Sequence, residues 1–168
     1  MIASGAPDDV WAPPPGGWTG VSPRLGSARR LLLFTVSSPV VLGGVAVAAI
    51  FGGAAGAFAA LAVFAVVLAL LVQVIDRQWR AIGYAERDDD LLVKRGVLFR
   101  QLVVVPYGRM QFVDVTGGPL ERRFGLATVQ LHTAAAVTDA AIPGLVPEEA
   151  ARLRDRLAAL GQARSAGL

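Results

Sequence analysis

The chain reads as a membrane protein in which two apolar helices form a transmembrane hairpin, followed by a small antiparallel β domain capped by a C-terminal helix. Three observations predict this. No charged side chain occurs from Leu31 to Ile75. Short segments of period-two alternation then run from Leu91 to Ile142, separated by Gly, Pro and Asp turns. A stripe of Ala150, Leu153, Leu157 and Leu160 closes the pattern at helical spacing. Strands followed by one helix is the layout of a sheet or open barrel with a helix laid over it.

The apolar run is too long for one crossing. At about 1.5 Å per residue a single helix from Leu31 to Ile75 would be about twice the ~30 Å hydrocarbon core. Two spans, Leu31–Phe51 and Ala57–Ile75, fit if the chain turns at Gly52-Gly53-Ala54-Ala55-Gly56. The spacing Gly52-x-x-x-Gly56 also matches a helix-dimer motif, but the turn needs those glycines. No ionisable side chain lies within the spans, whereas proton relays and ion pathways require them. That argues against a transporter.

Arg24, Arg29 and Arg30 precede the first span and Arg77 and Arg80 follow the second, while the turn is uncharged. The bias of basic residues predicts both termini on the cytoplasmic face of the cell membrane. Trp79 falls at the second boundary, where an indole favours the interface. Ala46-Val47-Ala48 has the look of a signal-peptidase site, but about 30 residues precede the apolar run and a second span follows, so an uncleaved anchor is the reading. Residues 1–28 hold Pro7, Pro13, Pro14, Pro15 and Pro23 among glycines and read as a disordered tail, with Trp11 and Trp18 as isolated aromatics.

Asp88-Asp89-Asp90 is a turn signal. Leu91–Lys94 and Val97–Val105 flank Arg95-Gly96 as a β-hairpin. Pro106-Tyr107-Gly108 breaks the second strand; Met110–Val115, Thr128–Thr133 and Val137–Ile142 follow as strands, the last closed by Pro143-Gly144. Pro147 suits a first helical turn with Glu148-Glu149 at its positive end, Glu148 pairs with Arg152 at i,i+4, and Gly161 is the expected stop. The organisation is thus a tail over 1–28, the hairpin over 29–77, the β domain over 80–161 and a tail over 162–168.

Three stretches carry a resemblance. They are Leu91-Leu92-Val93-Lys94-Arg95-Gly96-Val97-Leu98; Val105-Pro106-Tyr107-Gly108-Arg109-Met110-Gln111 continuing to Gly118-Pro119-Leu120 and Arg123-Phe124-Gly125-Leu126; and Ile142-Pro143-Gly144-Leu145 leading to Arg152-Leu153. Over about residues 25–160 the chain resembles the bacterial pleckstrin-homology-like (bPH2) membrane proteins of the YdbS type. The resemblance implies a seven-strand, two-sheet PH-like domain with a C-terminal capping helix, no enzymatic activity, and assembly with a longer protein carrying several copies of the domain. One departure is His132-Thr133-Ala134-Ala135-Ala136, where the family more often has Thr-Ala-Gly, so the turn there lacks its glycine.

The chemistry-bearing inventory is thin. There is no cysteine, which excludes disulfides, thiolate catalysis and Cys-held zinc. His132 is the sole histidine and has no carboxylate close by in sequence, and the Asp88–Asp90 run lacks the spaced oxygens of a calcium loop. The reading is therefore no enzyme, no cofactor and no metal. A net charge of +3 without a basic, aromatic-interleaved stripe sets nucleic acid aside. Arg109 is expected to pair with Glu121 or Asp114. Lys94, Arg95 and Arg100 are the candidate lipid-headgroup contacts, and Arg122 and Arg123 the candidate partner-docking residues. The expected function is a membrane-anchored interaction or scaffold module, partnered by the bilayer and by another PH-like protein or its own copies, with no small-molecule substrate. An anionic-lipid sensor and an accessory subunit of an exporter are the alternatives.

Overall fold

The computed structural model describes residues 14, 16–134 and 139–165. Within them the order is β1 (Thr19–Gly20), α1 (Arg24–Arg80), β2 (Gly83–Glu86), β3 (Asp90–Arg95), β4 (Gln101–Pro106), a 3₁₀ turn at Tyr107–Arg109, β5 (Met110–Thr116), α2 (Pro119–Arg123), β6 (Ala127–Thr133), β7 (Ala140–Leu145) and α3 (Pro147–Ser165).

The apolar run is helical throughout except at Gly53, whose φ of 59° and ψ of −152° leave the helix. That region of backbone space is open essentially to glycine alone. Beyond it the chain runs back along itself. Arg30 pairs with Asp76, Phe64 covers Gly44, the Ala48 carbonyl lies where a Cβ on Gly56 would go, and Trp79 covers Gly26. Small residues at Gly26, Gly44 and Gly56 are what let the two arms approach so closely. The run has a mean hydropathy of 2.9 in its most apolar window, none of which is buried against the rest of the protein. Exposed Phe34, Leu42, Ile50, Phe58 and Leu70 mark its outer surface. By length and composition it is long and apolar enough to cross a membrane.

Two antiparallel sheets form the domain, in the orders β1-β2-β3-β4 and β5-β6-β7. β3 pairs β4 from Asp90↔Pro106 to Arg95↔Gln101, and β5 pairs β6 from Met110↔Thr133 to Thr116↔Thr128. Leu91, Val93 and Val105 of one sheet share a core with Val129, Leu131 and Ile142 of the other. Helix α3 closes that core with Ala150, Leu153 and Leu157, all buried, and with half-buried Leu160, the stripe expected from the sequence. Tyr84 and Tyr107 are the largest buried side chains. Burial raises both phenols, Tyr107 to about 12, and each hydroxyl finds an acceptor, Tyr107 at the Arg87 carbonyl (2.9 Å) and Tyr84 at Glu149 Oε1 (2.6 Å).

Several expectations change. Residues 16–28 are not a structureless tail: Thr19 and Gly20 pair with Tyr84 and Gly83, and Val21, Leu25 and Ala28 are buried. Proline content suggested otherwise, but Val21 and Leu25 gain a core from a partner strand that lies beyond the membrane helix. The first β-hairpin is looser than expected. Val97-Leu98-Phe99 do not continue a strand but form the tip of a loop, because Gly96 takes φ +93° and pairing resumes only at Gln101. Pro143-Gly144 does not end β7; it forms an irregularity inside it, with Gly144 at φ +77° and Leu25 of α1 packed where a Cβ would stand (2.8–2.9 Å). Val137 and Thr138 of that expected strand lie outside the described residues. Helix α3 does not stop at Gly161 but continues through it to Ser165.

Candidate functional site

The site is built where the domain meets the ends of α1. Both ends of that helix are seated in the domain. Leu25 packs on Gly144, Ser22 N–H donates to the Gly144 carbonyl (2.8 Å), and Trp79 and Ile82 pack on the shared core. Trp79 therefore packs over Gly26 and against the domain core, with its indole N–H buried. This seating sets the β3–β4 loop beside the second arm of α1. A cleft of about 480 Å³ opens between them, with Arg29, Val74 and Arg77 on the helix side and Arg95, Leu98 and Phe99 on the loop side. Leu98 and Phe99 are each 91 % exposed.

Of the three candidate headgroup residues, Arg95 lines this cleft, and Lys94 and Arg100 line a smaller one on the other flank of the loop with Arg95. They differ in availability. Lys94 has its ammonium 4.4 Å from the centre of the Trp18 ring, and burial holds it below the ordinary lysine value. Trp18 is thus a ring partner and not an isolated aromatic; Trp11 lies outside the described residues. Arg95 donates from Nε to Gln101 Oε1 at 2.8 Å, which leaves the outer face of its guanidinium uncommitted among the described residues. Arg29 and Arg77 were read from the sequence only as orientation markers. Their charge clusters with Arg95 because α1 folds back at Gly53, a long-range consequence that local spacing does not reveal.

Arg122 and Arg123 sit apart from this cleft, on α2. Arg122 donates from Nε to the Gly117 carbonyl at 2.8 Å and so braces the loop before α2. Glu121 accepts from Gly118 N–H (2.9 Å) and from the Thr128 hydroxyl (2.8 Å). With Glu121 committed there, and Asp114 accepting from Val115 N–H, neither expected carboxylate partner reaches Arg109. On α3 the pair to Arg152 comes from Glu149 at i,i+3, not Glu148, because Arg152 also reaches Glu86 on β2. His132 does meet a carboxylate: its Nδ1 lies 3.2 Å from Asp139 Oδ2, and its ring stacks on Phe112 with centroids 4.3 Å apart. Asp139 also accepts from Thr133 N–H, and these contacts hold its carboxyl below the usual range. The pairing of Leu131 with Ala140 between β6 and β7 brings the two together. Among the described residues no cluster of three metal-ligating side chains occurs.

The family model for the bacterial PH domain matches residues 34–161, which takes in most of α1 together with the β domain. This chain belongs to the bacterial PH domain family. It is also 37 % identical over 93 residues to the UPF0699 transmembrane protein YdbS of Bacillus subtilis (strain 168), an alignment covering 55 % of each chain. The chain thus matches about half the length of that curated relative. No solved structure gives a significant match. The family and the relative agree with the apolar helix: the bacterial PH domain here is carried on a membrane protein.

Proposed function

We propose that this bacterial PH domain protein is a membrane-anchored, non-enzymatic interaction module that holds its β domain in a fixed pose on the cytoplasmic face of the cell membrane. The observation that carries this reading is the seating of both ends of α1 in the domain core, through Leu25 on one side and Trp79 and Ile82 on the other. In this reading the two arms of α1 are separate membrane crossings joined at Gly53, and the arginines at their common end lie inside. A domain so held cannot swing on a linker, so it presents its free sheet edges in one orientation relative to the bilayer. Two of those edges are β4 and β5, where Val104 is 43 % and Phe112 57 % exposed. Unpaired edge strands accept an added strand from a partner.

The partner in this reading is another PH-like membrane protein or a second copy of the chain. Arg122 and Arg123 on α2 offer a cationic flank for such contacts. The test is crosslinking and purification of the full chain from membranes in mild detergent. One dominant co-purifying protein is expected, and its yield should fall at least fivefold in the chain carrying Val104→Lys and Phe112→Lys. Retention of the same yield by that variant would remove the edges from the reading. Lipid sensing is a second reading, favoured by the exposed Arg95 and Arg100 of the loop. The exporter-subunit reading rests on the apolar helix alone.

A further inference from the structure

We propose that the cleft between the β3–β4 loop and the ends of α1 binds one anionic phospholipid of the adjoining leaflet. Its phosphate lies among Arg29, Arg77 and Arg95, and its upper acyl chains lie along Val74, Leu98 and Phe99. This rests on the reading of α1 as a bilayer anchor and goes beyond it by assigning a ligand.

Depth is the first argument. The cleft is lined on one side by Val74 and Arg77, which straddle the end of the charge-free run at Ile75. Whatever plane the headgroups occupy, the loop stands at that plane. Composition is the second. Leu98 and Phe99 are almost fully exposed at the loop tip, well beyond Phe112 and Val104, the next most exposed large apolar side chains described in the domain. A loop that stays in water gains nothing from such residues, whereas one at the lipid boundary removes them from water. Gly96 makes the projection possible: at φ +93° a Cβ there would meet the Phe99 carbonyl, so the tight base of the loop requires glycine.

Charge is the third argument. The lining contains no carboxylate, and no described carboxylate pairs with Arg29, Arg77 or Arg95. On α3, by contrast, Arg152, Arg154, Arg156 and Arg164 each meet one. Guanidinium groups bind phosphate oxygens through paired N–H donors, and clefts of roughly 300–1000 Å³ suit small ligands or headgroups. A soluble anion would use the arginines and leave Leu98 and Phe99 unexplained; a phospholipid uses both.

The experiment uses the full chain in phosphatidylcholine nanodiscs with a trace of nitroxide-labelled phosphatidylglycerol or nitroxide-labelled phosphatidylcholine. Electron paramagnetic resonance reads the immobilised fraction. A several-fold preference for phosphatidylglycerol is expected, and Arg77→Gln and Arg95→Gln should each lower its association about fivefold. The chain has no cysteine, so Phe99→Cys places one nitroxide at the loop tip without disturbing a packed residue. That label should be reached by oxygen and shielded from a water-soluble nickel chelate. Equal immobilisation of the two lipids, an unchanged preference in both arginine variants, displacement by inorganic phosphate, or a tip label open to nickel would each overturn the proposal. Extraction of the chain from membranes by alkaline carbonate would instead sink the anchor reading beneath it, so the two failures are distinguishable.

Discussion

Arg152 stands between two carboxylates, 2.6 Å from Glu149 and 3.1 Å from Glu86, and Tyr84 donates its hydroxyl to the same Glu149. The Arg152 hydrogen bond, helped by Tyr84, pulls the Glu149 carboxyl from its ordinary 4.5 down to about 2. Because the folded value is the lower one, the stabilisation is complete above the unfolded value and fades as pH falls from about 5 to 2. With both groups partly exposed the effect should be on the order of 1 kcal/mol. Comparing urea midpoints of the full chain and Glu149→Gln should therefore give a gap near neutral pH that closes toward pH 2. Asp139 titrates low in both proteins and cancels in the difference. The sequence placed an acid one turn before Arg152 but named Glu148, since the i,i+4 rule cannot know that Glu86 draws Arg152 to the β2 side. Asp139, the carboxylate that His132 meets, was hidden seven residues away in sequence.

At the scale of elements, the apolar run, the strand cores of β3 to β6 and the α3 stripe were readable because their periodicity is local. What escaped were segments whose state is decided by distant partners. Val97-Leu98-Phe99 carry strand-like composition yet form a loop, and Thr19–Gly20 carry a loop composition yet pair with β2. The reversal in α1 gives a sharp contrast between neighbours. Gly53 sits at φ 59°, ψ −152°, whereas a Cβ on Gly52 meets nothing within 4 Å. Gly53→Ala should destabilise the full chain by about 1–3 kcal/mol, the usual cost of forcing a side chain into that region. Gly52→Ala should be neutral or stabilising by up to about 1 kcal/mol, as expected for adding a methyl to a helix. Unfolding of both variants by SDS in mixed micelles checks the pair. Equal behaviour would mean that the turn tolerates either glycine.

For the molecule as a whole, the proposed topology puts residues 16 and 163 on the same side of the bilayer and residue 54 on the other. The absence of cysteine allows this to be read directly. In Gly16→Cys and Ala163→Cys, a membrane-impermeant maleimide should label only after the cells are opened, and Ala54→Cys should label from outside. Labelling of the first two in intact cells would reverse the assignment. The Thr19↔Tyr84 and Gly20↔Gly83 pairing has a consequence for how the protein comes into being. The ribosome releases the outer strand of the first sheet well before its neighbour, with all 57 residues of α1 synthesised in between. The sheet therefore cannot close until all of α1 has been made and, in the proposed topology, until both of its arms have entered the bilayer. A chain whose α1 failed to fold back would be left with β2 unpaired on that side and with Val21 and Leu25 bare.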